Sequence, residues 1–237
     1  MNHLELLRVH RFDKKCRCGE KADGGYVFAE LEGEYDCYIS AGINDEESFS
    51  RDFIEKYGLA KEQCYGFDGT IQDYPYHYTQ KIQFSKKNIS HCNDDHHSNL
   101  AVLAATYKNI FLKMDIEGGE YPWLLRIDEA HLAAFKQIVI EFHGITNDGW
   151  NCPYGEKVKC LEKLKRTHYI VHAHGNNNGP SQNGIPDVLE LTYVRKSHFE
   201  TVPEWNTQPL PIEQLDFPNR DIQDLDLNRY PFRDHSR

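Results

Sequence analysis

Short apolar runs of four to seven residues punctuate an otherwise polar chain, and the stretches between them carry apolar residues at helical spacing. Runs of that length, alternating with a 3.6-residue period, read as strands of a mainly parallel sheet with helices between them. Strands are expected at 36–41, 63–67, 81–84, 110–116, 137–142, 168–172 and 188–194, and helices at 46–57, 121–127, 129–135 and 154–166. The first helix sets Phe49, Phe53, Ile54 and Tyr57 on one side, behind acidic residues that suit its dipole. The last sets Val158, Leu161 and Leu164 on one face and gathers basic residues toward its end. The expected fold class is therefore α/β, a doubly wound seven-stranded sheet. From about Ser197 prolines accumulate at 203, 209, 211, 218 and 231 and the apolar period fades. Residues 1–197 are thus expected as one domain and 198–237 as an irregular tail packed on it as a strap.

Charge removes one class of partner. The 237 residues hold 27 Lys and Arg against 37 Asp and Glu, a net charge of −10, which leaves no broad basic face for a nucleic-acid backbone. No apolar stretch approaches the ~20 residues that span a bilayer, and Glu5, Arg8, His10 and Arg11 stand where a signal peptide is apolar. A cytoplasmic protein without a membrane span is expected. Seven cysteines, at 16, 18, 37, 64, 92, 152 and 160, are odd in number and irregular in spacing, so they read as reduced thiols. Cys16 and Cys18 have no second pair at zinc-site spacing, so no structural zinc is expected there.

In a doubly wound sheet the ligand sits outside the carboxyl ends of the strands, so the residues after each strand carry the chemistry. After the first come Ser40, Ala41, Gly42, Ile43 and Asn44, small residues that permit a tight turn close to a ligand, followed by Asp45, Glu46 and Glu47. Gly-x-Gly-x-x-Gly is absent, and those acids would repel a pyrophosphate, so a dinucleotide is disfavoured and a cationic ligand favoured. After the second strand Asp68 stands where an acidic residue can accept both hydroxyls of a ribose. The densest signal is Lys113-Met114-Asp115-Ile116-Glu117-Gly118-Gly119-Glu120, in which three acids crowd a glycine-flanked strand tip. Like charges so close raise one another's free energy, so a cation, a metal or a substrate hydroxyl is expected beside them.

The next strand ends in Glu141-Phe142-His143, the sixth in His172-Ala173-His174-Gly175-Asn176, and the seventh opens with Pro186-Asp187-Val188-Leu189-Glu190. Alternation puts Glu141 with His143, and His172 with His174, on one side of their strands. His96 and His97, beside Asp94 and Asp95, read as a solvated loop.

Together with Asp23-Gly24-Gly25-Tyr26, these segments resemble the FkbM-type S-adenosylmethionine-dependent methyltransferases, in the branch with an N-terminal Asp-Gly-Gly-Tyr motif. The resemblance covers about residues 17–196. It implies a class I methyltransferase fold, Rossmann-like, with the last strand antiparallel, and O-methylation of a sugar hydroxyl in a glycan or a sugar-bearing small molecule. By position it implies that Ser40, Ala41, Gly42, Asn44 and Glu46 pass the methionine part of S-adenosyl-L-methionine, that Asp68 takes the ribose, and that Asp115 reaches the transferred methyl. Asn88 to Ser90 are the candidates for adenine. Ser40 and Asn44 depart from the acidic residue and second glycine that many methyltransferases carry at those places.

The chemistry asks for a base or a metal, because an alcohol is a poor nucleophile at neutral pH. Asp115, His143 and His174 are the candidate catalytic residues, with His143 preferred as base. Asp115, Glu141 and His143 are candidate ligands for a divalent ion, magnesium or manganese. Glu117, Glu141, Asn176 and Glu190 are candidate substrate contacts, with Trp150 and the segment from Tyr74 to Tyr78 as sugar-stacking aromatics. Two other readings compete: a metal-dependent hydrolase built from Asp115, Glu141, His143, His172 and His174, and a non-catalytic cofactor- or glycan-binding module.

Overall fold

The computed structural model describes residues 3–75 and 80–235. A hairpin of β1 (Lys15–Cys18) and β2 (Tyr26–Ala29) comes first. Then follow β3 (Cys37–Ala41), α1 (Ser48–Tyr57), β4 (Cys64–Phe67) and β5 (Gln83–Ser85). Two-residue strands β6 (Asn88–Ile89) and β7 (His97–Ser98) pair with each other ahead of α2 (Ala101–Thr106). Next come β8 (Ile110–Met114), α3 (Glu120–Arg126), α4 (Glu129–Leu132) and β9 (Phe135–His143). The chain ends its regular structure with α5 (Tyr154–Thr167), β10 (His168–Gly175), a small hairpin of β11 (Ser181–Gln182) and β12 (Ile185–Pro186), and β13 (Val188–Arg195).

Seven of these strands form one sheet in the order β10-β13-β9-β8-β3-β4-β5. β13 runs antiparallel to both its neighbours, and the other pairings are parallel. The result is a Rossmann-like, mostly parallel α/β sheet whose last strand is reversed. β8 is buried along its whole length, as a central parallel strand covered on both faces must be, and it reads as a near-continuous apolar run for that reason.

The faces of the sheet differ in composition. One contributes Ile39, Ala41, Leu112, Met114, Ile138, Ile140, Leu189 and Leu191 to an apolar core that also takes in Trp123 of α3, Leu132 of α4 and Leu161 of α5. The other carries an aromatic cluster in which Phe53 and Phe49 of α1 meet Phe111, Tyr38 and Phe28, the ring centroids of Phe53 and Phe111 standing 4.0 Å apart. Aromatic pairs of this kind add about 0.5–1.5 kcal/mol each beyond burial. Toward the carboxyl ends of the strands this second face turns polar, and the candidate site residues stand there.

Several expected boundaries move, two of them for a clear local reason. β8 stops at Met114 because Glu117 and Gly118 adopt positive φ and turn the chain. The helix expected over 129–135 closes after Leu132, and Phe135, three residues on and so at helical spacing, opens β9 instead. The hairpin β1–β2, the pair β6–β7, α2 and the β11–β12 hairpin have no counterpart among the expected elements.

From residue 199 to 235 the chain forms no helix or strand beyond a single bridge between His10 and Trp205, yet it is anchored. Leu210, Leu227 and Phe232 join the apolar core, while Asp216, Asn219 and Asp224 reach His172, Glu190 and His174 on the polar face. Among the described residues no helix is long and apolar enough to cross a membrane.

Candidate active site

Strand order reverses between β3 and β8, and a crevice is expected to open outside the strand tips at that point. A cavity of about 630 Å³ lies there, and among the described residues its wall holds six carboxylates, from Asp23, Asp45, Glu46, Asp68, Asp115 and Glu117, against one basic residue, Lys113. Gly42 makes the close approach possible. Its φ is +78°, and a Cβ placed on it would come 1.4 Å from the backbone oxygen of Asp115, so no other residue fits. The tips are laced together around it, Asp115 N donating to Ala41 O at 2.9 Å and Gly42 N to Phe67 O at 3.0 Å.

Asp68 stands in the cavity wall, but its carboxylate serves its own chain. Oδ2 accepts from the backbone N–H groups of Ile43 and Asn44, both at 2.9 Å, and Oδ1 accepts from the backbone and hydroxyl of Thr70 at 2.7 and 2.6 Å. Burial works against its charge, yet these donors outweigh burial and hold its pKa below the usual range. A carboxylate offers about four acceptor sites, and all four are taken, so Asp68 fixes the turn after β3 rather than presenting a free edge to a ribose.

Across the crevice the acids are far less well served. Register sets Glu141 opposite Glu190, and Glu190 opposite His174, in a row that crosses β9, β13 and β10. The Tyr26 hydroxyl lies 3.1 Å from both Asp115 Oδ2 and Glu141 Oε2, one proton for two acceptors. Asn176 Nδ2 donates to Glu141 Oε1 at 2.8 Å. Burial, with Asp115 and Glu190 nearby, pushes the Glu141 pKa well above the usual carboxylate value. That shift favours the neutral carboxyl, whose proton would serve the pair of acceptors around the Tyr26 hydroxyl.

His143, buried at the end of β9, is the hub. Its Nδ1 lies 3.3 Å from Oε1 of Glu120, a fully buried carboxylate at the start of α3 that also accepts the Ile116 N–H at 3.1 Å. Its Nε2 points the other way, 3.8 Å from Asp115 Oδ1, 3.5 Å from Glu117 Oε2 and 3.6 Å from Glu141 Oε1. Burial opposes the imidazolium, but Glu120, Asp115 and Glu117 together overcome it and raise the His143 pKa. Trp150 leans over the imidazole with ring centroids 4.9 Å apart and remains 44% exposed. A side chain at Gly144 would strike that indole at 2.3 Å.

The structure brings some expected residues together and separates others. Gly42, Asn44, Glu46, Asp68, Asp115 and Glu117 line the cavity, as do Asn88 and Ile89 at its far side. Ser40 and Ala41 do not, because both are fully enclosed in β3, and the Ser40 hydroxyl donates to Glu47 Oε1 at 3.1 Å. Glu141, Asn176 and Glu190 lie behind the wall, each at most 5% exposed; Asn176 bonds Glu141, and Glu190 bonds His174 and Asn219, so none is among the cavity-lining residues. His174 is committed on both nitrogens, to Glu190 Oε2 at 2.9 Å and Asp224 at 3.1 Å, so it braces the strap and has no free nitrogen for proton transfer. His172 is paired with Asp216 at 2.9 Å.

The five-residue cluster of the hydrolase reading therefore does not form. Among the described residues the side chains near the cavity whose ligand atoms converge, within 4.8 Å of one another, are Asp115, Glu117 and His143, so Glu117 takes the place expected of Glu141. These three would hold a divalent ion that lowers the pKa of a bound hydroxyl. Tyr74 is buried with its hydroxyl donating to Glu47, while Tyr76 and Tyr78 lie outside the described residues.

The sequence pattern gave no individual role to Lys113 and Tyr26, and counted Glu120 only as the third of the crowded acids. Lys113 Nζ donates to Gly42 O at 2.8 Å and stands 3.9 Å from Asp115 Oδ2. A lysine in a fully buried strand was itself a signal, since such a charge needs a partner. No protein-family model matches the chain, and no curated protein matches it.

Proposed function

We propose that the protein is an S-adenosyl-L-methionine-dependent O-methyltransferase that acts on a hydroxyl of a sugar, in a glycan or a sugar-bearing small molecule. The observation that carries the reading is the Glu120–His143 pair, whose Nε2 is turned toward Asp115 and Glu117 in the wall of a strongly acidic cavity. The reversed last strand supports a class I methyltransferase sheet, the arrangement the sequence resemblance implies.

Residues of the cavity fit a cationic cofactor. Six carboxylates against one lysine focus a negative potential that concentrates a positively charged ligand, and the Gly42 turn brings the backbone of two strand tips to the same point. S-adenosyl-L-methionine supplies, when bound, a methyl group on a positively charged sulfur. The chain's own contribution is to hold and deprotonate the acceptor. Asp115 and Glu117 receive hydrogen bonds from sugar hydroxyls, and the exposed face of Trp150 stacks on the ring. His143 Nε2 takes the proton of the reacting hydroxyl, and Glu120 on Nδ1 fixes the tautomer and the ring orientation. A cation bound among these acids lowers the proton affinity of His143, which frees Nε2 to act as base.

Titration calorimetry with S-adenosyl-L-methionine, followed by transfer of labelled methyl to a panel of glycans, tests the proposal. Binding with transfer to a carbohydrate is expected, and absence of cofactor binding overturns it.

A further inference from the structure

The loop between β6 and β7, which the sequence pattern presents as solvated, brings together three different metal-ligating groups. Cys92 Sγ lies 3.6 Å from Asp94 Oδ2, and His97 Nδ1 lies 2.9 and 3.0 Å from the two Asp94 oxygens. The three ligand atoms fall within 4.8 Å of one another. We propose that Cys92, Asp94 and His97 form a zinc site, separate from the acidic cavity, that clamps this loop.

Ligand spacing is the first argument. Zinc bonds of about 2.3 Å to sulfur and about 2.0–2.1 Å to nitrogen and oxygen, at tetrahedral angles, set ligand atoms roughly 3.3–3.6 Å apart. The observed separations match this edge to within a few tenths of an ångström for the sulfur–oxygen gap, and the nitrogen–oxygen gap needs a slight opening. Ligand type is the second. A thiolate with an imidazole and one carboxylate favours a borderline-soft ion such as zinc and disfavours magnesium or calcium, which take oxygen ligands. Three protein ligands leave the fourth tetrahedral position to water.

The loop is held in place before any ion arrives. Asn88 N donates to His96 O and Ser90 N to Ser98 O, each at 2.9 Å. Asn93 and Asn99 bond to each other twice, at 2.6 and 2.8 Å, and Lys87 Nζ caps the Asp94 carbonyl at 2.6 Å. A frame of this kind reduces the ordering entropy of the three ligands on binding. It also links the site to the cavity, because Asn88 and Ile89 at the base of the loop line the cavity wall, and Asn88 Oδ1 accepts the Gly69 N–H at 3.1 Å, next to Asp68. Zinc at the loop would stiffen that wall from outside.

The test uses the full chain stripped of metal and titrated with cobalt(II), in wild type and in the Cys92→Ser, His97→Ala and His143→Ala variants. Wild type and His143→Ala should show a near-ultraviolet thiolate-to-cobalt charge-transfer band that zinc abolishes by competition. Cys92→Ser should lose the band, and His97→Ala should bind at least about 10-fold more weakly, since even indirect partners of a metal ligand are worth that much. A wild-type protein without the band, or a band that survives in Cys92→Ser, overturns the proposal.

Discussion

Two carboxylates at the tips of this sheet are treated in opposite ways. Asp68 after β4 is met by four donors from its own chain and is pulled toward the ionised form in spite of burial. Glu141 near the tip of β9 has one amide donor, a shared phenol and two other acids near it, and is pushed toward the neutral form. The first belongs to the fold, since it fastens the turn that shapes the cavity. The second stands in a group of acids with too few donors, a state that the fold alone does not need and that a bound cation or a polar substrate would relieve.

The hardest way to break the contrast is to remove the turn that both sides share. Gly42→Ala places a methyl group within bonding distance of the Asp115 carbonyl and forces an L residue to φ +78°, so a loss of about 4 kcal/mol or more is expected. Chemical denaturation followed by circular dichroism measures it. A stable Gly42→Ala protein would mean that the strand tips are free to part.

On the under-served side the effect should be on turnover. His143→Ala is expected to lower kcat by about 100- to 10,000-fold, the range for a general base, while calorimetry shows the cofactor still bound. Equal loss of binding and turnover would assign His143 to holding the cofactor.

His174 tests the far end of the acid row. Burial opposes its charge, but Glu190 and Asp224 raise its pKa well above the ordinary value. A group raised on folding stabilises fully below its unfolded pKa, about 6.5 for histidine, and that contribution fades as pH climbs through the folded value. His174→Gln should therefore cost about 3 kcal/mol near pH 6, and the gap from wild type should narrow in alkaline buffer. Melting curves across pH read it directly, and a constant gap would show that the imidazole is held neutral.

These tests also show which parts were legible in the chain. The sheet could be read because its strands are short apolar runs, and Asp115, Glu117 and His143 could be read because alternation and strand tips are local properties. Asp224 could not be tied to His174, 50 residues before it, because nothing in the irregular strap fixes its path until Leu227 and Phe232 are buried. Asp68 could be placed at a strand tip, but the donors that occupy it could not be foreseen, because two are backbone N–H groups of the turn after β3, 24 and 25 residues away, and two come from Thr70. Cys92 and His97 were visible as residues, yet only the paired strands at the base of their loop bring them together.

Glu120→Gln sharpens the mechanism without removing volume. The carboxylate is the main group raising the His143 pKa, and a base works only when deprotonated, so wild-type kcat/KM should reach half its plateau above pH 6.5, the ordinary histidine value. In the variant the midpoint should move down toward that value, and kcat should fall about 10-fold as the ring loses its orientation. A purely structural Glu120 would lower Tm and leave the midpoint where it was.

The smallest effect should come from Glu141→Gln, and it should be a gain. A carboxyl group whose pKa is raised in the folded state holds a proton that the unfolded chain has released, so wild type loses stability as pH rises above about 4.5 toward the folded value. Glutamine keeps the shape and the acceptor for Asn176, and it has no charge to suppress. Variant and wild type should match near pH 4 and diverge above it, the variant ahead by about 1 kcal/mol, or about 2–4 °C in Tm, at neutral pH. The gain is what separates the two carboxylates: Asp68→Asn would forfeit donors that favour charge, whereas Glu141→Gln relieves an acid whose burial and acidic neighbours outweigh the donors it has. If the variant melts below wild type at neutral pH, Glu141 is held as firmly as Asp68, and the acid row serves the fold.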